Sequence, residues 1–153
     1  MDRDPEIARF LLRPVPENID RHRADIHQKI LASAHPDGTF WHIEELNTPG
    51  FIGCCGLFPL EDSGMIEIGY RFVREVWGHG LATEAAAAAL DHGFRHLGLA
   101  RIVAVTEPNN QASQHVLQKI GLRPGGTAFH YGFEVKMFAC LRADYLAARL
   151  NSV

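Results

Sequence analysis

The sequence predicts an α/β fold of the α+β kind, with a mixed central sheet built around a right-handed strand–helix–strand crossover. Three observations carry this. The run Met65 to Val73 alternates as a strand does, placing Ile66, Ile68, Tyr70 and Phe72 on one face and Glu67, Gly69 and Arg71 on the other. From about Gly80 to Leu97, Ala82, Ala85, Ala86, Ala89, Leu90, Gly93, Phe94 and Leu97 recur at three- and four-residue spacing, the period of a helix packed on one face. Gly98 ends that helix, and the compact apolar run Arg101 to Thr106 follows as a strand parallel to the first.

The other elements follow in chain order. Asp4 to Ala34 is polar and helix-forming; Pro14 and Pro16 interrupt it, and Ile19, Ile26, Ile30 and Leu31 mark one helix over about Glu17 to Ala34. His35-Pro36-Asp37-Gly38 is a turn. Two β-like runs, Thr39 to Leu46 and Phe51 to Pro59, are joined by Asn47-Thr48-Pro49-Gly50 and predict a hairpin. Glu61-Asp62-Ser63-Gly64 turns the chain into the strand that opens the crossover. Beyond the crossover come a helix from about Gln111 to Ile120 ended by Gly121, a strand pair around Tyr131-Gly132, and a helix from about Arg142 to Leu150.

A chain of 153 residues suits one domain spanning residues 1–153, large enough to bury a core without disulfide or metal staples. No run approaches the ~20 apolar residues of a membrane span, so no membrane partner is expected. Met1-Asp2-Arg3-Asp4-Pro5 does not open a secretory signal, and a cytoplasmic location is the expectation. The formal charge of −3 and the absence of a Lys/Arg block argue against nucleic acid as a partner. Cys54 and Cys55 are adjacent and the cysteine count is odd, which suits neither a disulfide framework nor zinc, so all three are read as reduced thiols. His92 and His96 have metal-pair spacing, but no H-E-x-x-H carboxylate accompanies them and no metal is expected.

Between the crossover strand and its helix lies Trp77-Gly78-His79-Gly80-Leu81-Ala82-Thr83. Two glycines at a strand-to-helix junction let the main chain approach a ligand, and the first N–H groups of the helix point outward as an anion site. Taken alone, Gly-x-Gly at a helix start is as often only a tight turn. A dinucleotide fingerprint would want Gly or Ala at Thr83 and an acidic residue about 20 positions on, and neither is well met.

Three blocks then fall in order: Ile66-Glu67-Ile68-Gly69-Tyr70; Trp77-Gly78-His79-Gly80-Leu81-Ala82-Thr83-Glu84-Ala85; and Asn110-Gln111-Ala112-Ser113 with Val116-Leu117-Gln118-Lys119-Ile120-Gly121-Leu122. In residues, order and spacing they resemble the GNAT superfamily of N-acetyltransferases, within it the RimJ/RimL-like branch of ribosomal-protein N-terminal acetyltransferases. The resemblance implies the GNAT fold, with the crossover carrying the coenzyme A site and acetyl-CoA as co-substrate. It implies that the backbone of Gly78, His79, Gly80, Leu81, Ala82 and Thr83 holds the pyrophosphate, with Trp77 standing where the family more often has Gln or Arg. The pantetheine arm would pair as a false strand near Phe72 and Val73, where the two parallel strands part.

Amide formation needs a neutral amine, a donor for the carbonyl oxygen that gains charge, and a proton for the leaving thiolate. By position the resemblance gives the base to Glu67, whose other reading is a solvated strand residue. Ser113 is the implied thiolate acid, its other reading a helix-surface hydroxyl. Many GNAT members use a tyrosine one turn later, where this chain has Leu117. Asn110 either contacts the pantetheine arm or caps the following helix, and the two are compatible. His79 reads more readily as a solvated side chain, and Tyr131 as hairpin packing rather than acceptor pocket.

The family's opening strand and two helices do not all fit before the first hairpin, so a shortened N-terminus is expected. Arg9-Phe10-Leu11-Leu12-Arg13-Pro14 resembles the first strand, whereas Asp4-Pro5-Glu6-Ile7-Ala8-Arg9-Phe10-Leu11 resembles the end of the first helix. A shortened acceptor wall leaves apolar surface or a sheet edge to cover, which points to a homodimer. The function implied is acetyl transfer to an amine acceptor, either a protein N-terminus or a small molecule. The alternatives are a non-catalytic acyl-CoA-binding or regulatory module and, from another class, a Rossmann-like nucleotide enzyme.

Overall fold

The computed structural model describes residues 1–12, 24 and 39–150. The helix and turn expected between about Glu17 and Gly38 lie outside them, except for Ala24, which is helical. A short α1 (Pro5–Ala8) is followed by β1 (Thr39–Glu45), β2 (Thr48–Pro59), β3 (Ile66–Phe72), a 3-10 turn (Arg74–Val76), α2 (Leu81–Arg95), β4 (Arg101–Thr106), α3 (Gln111–Lys119), β5 (Arg123–His130), β6 (Phe133–Leu141) and α4 (Arg142–Leu150). Among the described residues six strands form one mixed sheet in the order β1-β2-β3-β4-β6-β5, with β3 and β4 parallel and every other pair antiparallel. The expected α/β architecture with its crossover is what forms.

Near the amino terminus, Asp4 caps α1 by accepting the Glu6 N–H at 3.0 Å, and Ile7 is buried beneath it. Arg9 and Phe10 form a turn and Leu12 a bend after α1, while Arg13 and Pro14 of the strand-like run lie outside the described residues. Asp2 anchors the amino-terminal segment, receiving the Arg71 guanidinium at 2.6 Å.

The first hairpin departs from the expected turn. β2 begins at Thr48, leaving only Leu46-Asn47 as the connection, and Glu45 pairs with Thr48 while Glu44 pairs with Phe51. Pro49 and Gly50 are therefore the extra residues of an irregularity inside the strand. A bulge near the tip tolerates a proline that lacks a ladder N–H.

The helical layer packs on the face of β3 that carries Ile66, Ile68 and Tyr70. Ala86, Ala89, Leu90 and Phe94 of α2 bury against Cys55, Leu57, Ile68, Ile102 and Ala104 of the sheet. Gly93 permits the close approach: a Cβ there would lie 2.6 Å from Ile102 Cδ1 and 2.8 Å from Leu57 Cδ1. α4 closes the far end, Arg142 Nε donating to the Phe94 carbonyl at 2.8 Å and the Tyr145 hydroxyl donating to Asp91 at 2.8 Å. Among the described residues no helix is long and apolar enough to cross a membrane.

Candidate active site

The parallel pair holds at a single register position, Glu67 opposite Val103, although β3 continues to Phe72 and β4 to Thr106. An undistorted ladder would continue to Gly69 and Val105. The two strands therefore part on their C-terminal side, and the sheet opens beside Glu67.

Which main-chain groups face that opening follows from β2. The Val73 N–H donates to the Ile52 carbonyl at 2.9 Å, so by strand alternation Phe72 and Tyr70 turn their main-chain groups toward the β4 side. This corrects the expectation for Val73: its N–H faces β2 and its carbonyl accepts the Val76 N–H at 3.3 Å, so Phe72 and not Val73 presents the edge. The Phe72 carbonyl already accepts the Trp77 indole N–H at 3.0 Å. Trp77 thus ties the glycine loop to the end of β3, which accounts for an indole where a polar side chain was the alternative.

Gly78 and Gly80 both have φ of 81°, in the left-handed region that glycine favours, and a Cβ at either would meet nothing within 4 Å. Gly80 is the N-cap of α2 and offers no side chain to its first turn. Leu81, Ala82 and Thr83, the first helical residues, are half-buried, and His79 between the glycines is exposed. Open space over an uncapped helix start fits the pyrophosphate of coenzyme A: the main-chain N–H groups of 78–83 would hold it, with the helix dipole favouring negative charge.

Glu67 is not a solvated strand residue. Only 4% of it is exposed, and the Tyr131 hydroxyl donates a hydrogen bond to its Oε1. Phe58 is its cross-strand neighbour on β2, tilted against Phe40 with ring centroids 6.3 Å apart. Arg71, held by Asp2, shares this face.

Ser113 lies across the sheet. It is half-buried in the first turn of α3, and its N–H donates to Asn110 Oδ1 at 3.1 Å, so the Asn110 capping reading is realised. The Tyr70 hydroxyl donates to the Ser113 carbonyl at 3.0 Å and lies 3.0 Å from Ser113 Oγ. Burial first of all pushes the Tyr70 phenol above its ordinary range, the hydrogen bond to Ser113 opposing it, so Tyr70 is a neutral partner at physiological pH. Residues 67 and 70 differ in parity along β3. Glu67 and Ser113 therefore flank the opening from opposite faces and do not touch.

Tyr70 and Tyr131 bond to the candidate residues Ser113 and Glu67, contacts that periodicity and motif spacing do not reveal. A tyrosine in an otherwise apolar stripe carries a hydroxyl that needs a partner once buried, and that is the available signal for Tyr70. For Tyr131 the signal is an aromatic residue before glycine, where a two-residue hairpin turn favours Asn or Asp. Besides the hairpin packing read from the sequence, Tyr131 donates a hydrogen bond to Glu67. Burial, as the largest cause, raises the thiols of Cys54 to about 11 and Cys55 to about 12, so neither is a ready thiolate. His92 and His96 stack on each other with Trp41 edge-on to His92, and no metal-binding group of three or more His, Cys, Asp or Glu forms among the described residues.

A parallel pair that opens beside a buried carboxylate, with an uncapped helix start at its end, is the arrangement that the resemblance to the N-acetyltransferases implies. Comparison with known proteins assigns the family. The acetyltransferase (GNAT) domain model matches residues 1–123, and the chain belongs to the GNAT acetyltransferase family. It is 30% identical over 149 residues to the uncharacterised N-acetyltransferase p20 of Bacillus licheniformis, covering 93% of this chain and 84% of that one. It is 42% identical over 86 residues to the uncharacterised protein YkkB of Bacillus subtilis, covering 55% of this chain and half the length of that relative. The same fold recurs in the spermidine N-acetyltransferase of Vibrio cholerae, crystallised with CoA and spermine, at a TM-score of 0.76 and 20% identity over 95% of this chain and 88% of that one.

Proposed function

We propose that the chain moves an acetyl group from acetyl-CoA directly to an amine, with Glu67 taking the amine proton and Ser113 supplying one to the leaving sulfur. The observation that carries this reading is the position of Glu67: a buried carboxylate at the one point where β3 and β4 still pair, beside the opening. Bound acetyl-CoA would supply the thioester; the remaining roles belong to the chain. Gly78, His79, Gly80, Leu81, Ala82 and Thr83 offer main-chain N–H groups to the pyrophosphate, and the Phe72 edge and Asn110 orient the arm. With Tyr70 holding Ser113 on one face and Glu67 on the other, amine attack and thiolate protonation come from opposite sides of the sheet. The raised thiols of Cys54 and Cys55 support direct transfer over an acyl-cysteine route.

The acceptor is an amine of one of two kinds. The three sequence blocks resembling the RimJ/RimL branch support a protein N-terminal α-amine, and the shared fold with a spermidine acetyltransferase supports a small-molecule amine. A panel of both with acetyl-CoA, read by free-thiol release, separates them.

An α-amine has a pKa of about 7.7–8.0 and a lysine amine about 10.4, so near neutrality most acceptor is protonated. A positioned base is typically worth ~10²–10⁴ in rate. Glu67→Gln should lower kcat at about pH 7 by roughly ten-fold or more, leave acetyl-CoA affinity intact, and recover part of the loss as pH rises. Wild-type kcat between about pH 6 and 9 on a verified acceptor would remove Glu67 from the reaction.

A further inference from the structure

Among the described residues only two non-glycine residues adopt a positive φ, Glu61 at 46° and Tyr131 at 55°. They are 70 positions apart, and they are bonded to each other. The Tyr131 N–H donates to Glu61 Oε1 at 3.1 Å, and His130 Nδ1 lies 2.8 Å from Glu61 Oε2. Tyr131 and Gly132 are the two central residues of the β5–β6 turn, between the paired residues His130 and Phe133, and Gly132 has φ of 83°. Two consecutive left-handed residues make a type I′ turn, whose first central position favours Asn, Asp or Gly. A bulky aromatic there is strained, and such strain persists only where surrounding contacts over-determine it. Here the contacts are visible. Glu61 holds the main chain of the turn, and the turn delivers the Tyr131 hydroxyl to Glu67 Oε1, in a part of the chain 64 residues away.

We infer that Tyr131 is a positioning residue for Glu67: the strained turn, clasped by Glu61, holds the Glu67 carboxylate in the orientation that accepts the acceptor's proton. The inference rests on the reading of Glu67 as the base. Packing alone would require the ring. It would not require the hydroxyl, the left-handed backbone or the Glu61 clasp.

The test is a steady-state series with acetyl-CoA and a verified amine, each variant first checked for wild-type acetyl-CoA affinity by calorimetry. Tyr131→Phe keeps the ring and removes the hydroxyl; it should lower kcat by about ten-fold with the acceptor KM changed less than about two-fold, the pattern of an interaction made only in the reacting state. In a Glu67→Gln background the same change should cost nothing further, because the two groups act as one unit. Glu61→Ala should lower kcat in the same way, and Glu61→Gln, which retains a carbonyl acceptor for the Tyr131 N–H, should restore part of it. This second series stands if the tyrosine variants fail to fold.

The outcomes divide cleanly. If Glu67→Gln is impaired and Tyr131→Phe has wild-type kcat, the positioning role is wrong while the base stands. Losses that multiply in the double variant would show Tyr131 acting independently of Glu67, which also overturns the role. If Glu67→Gln itself has wild-type kcat, the base reading fails and this inference falls with it.

Discussion

Valine at Gly80 should remove most acetyl-CoA binding at a moderate cost to the fold, and the two effects can be separated. Gly80 sits at φ 81° and ψ −2°, where an L-residue costs roughly 1–2 kcal/mol and a β-branched one at least the upper end. Nothing lies within 4 Å of a Cβ built there, so no clash with the protein adds to this. With an unfolding entropy of about 2.1 cal/mol/K per residue, a chain of 153 residues has about 0.32 kcal/mol/K in all, and a cost of about 2 kcal/mol or more should lower Tm by about 6 °C or more. The new side chain would project over the uncapped start of α2. A charge-assisted hydrogen bond contributes about 1.5–3 kcal/mol, so displacing the pyrophosphate from one main-chain N–H should weaken affinity roughly 10- to 150-fold. Gly98 supplies the control. It lies beyond the opposite end of the same helix with φ of 67° and equally open space, so Gly98→Val carries similar backbone strain without approaching the loop. Calorimetry with acetyl-CoA should show weakened binding for Gly80→Val and wild-type affinity for Gly98→Val. Equal affinities in the two variants would place the pyrophosphate elsewhere.

Ser113→Ala should lower kcat without the alkaline recovery expected of Glu67→Gln, since a deprotonated amine does nothing for the leaving thiolate; Tyr70→Phe should shift kcat in the same direction. A pH profile of both variants checks this, and alkaline recovery in Ser113→Ala would refute the assignment. Away from the site, the Asp91 carboxyl is held below its ordinary value, chiefly by the Tyr145 hydroxyl and then by Arg95 and Arg149, with burial opposing. A depressed folded-state value means the stabilisation is complete above the unfolded-state pKa and is lost as pH falls through the folded one. Asp91→Asn should therefore flatten the acid limb of the Tm profile below about pH 4, and an unchanged limb would show the cluster contributes nothing there.

What the sequence disclosed about this fold was what short-range periodicity controls. The alanine-rich stripe of α2, the alternation of β3 and the compact β4 each report their own burial, and strand–helix–strand handedness supplies the topology. The positive φ of Gly78 and Gly80 is equally local, because only glycine takes that backbone without strain. Pro49 and Gly50 misled for the same reason: their turn chemistry is real, but pairing with β1 absorbed it as an irregularity within β2. The site divides along the same line. The backbone conformation of the glycine loop was legible locally, whereas the partners of Val73, Ile52 and Val76, depend on how β2 and the 3-10 turn pack. The side-chain bonds were hidden, since Tyr70 meets Ser113 across 43 residues and Tyr131 meets Glu67 across 64. No periodicity encodes a contact of that span. Tyr131 nonetheless left a trace, because a residue that breaks a local rule must be held by something non-local. The Tyr-Gly pair at a two-residue turn is such a break, and the bonds to Glu61 and Glu67 are what hold it.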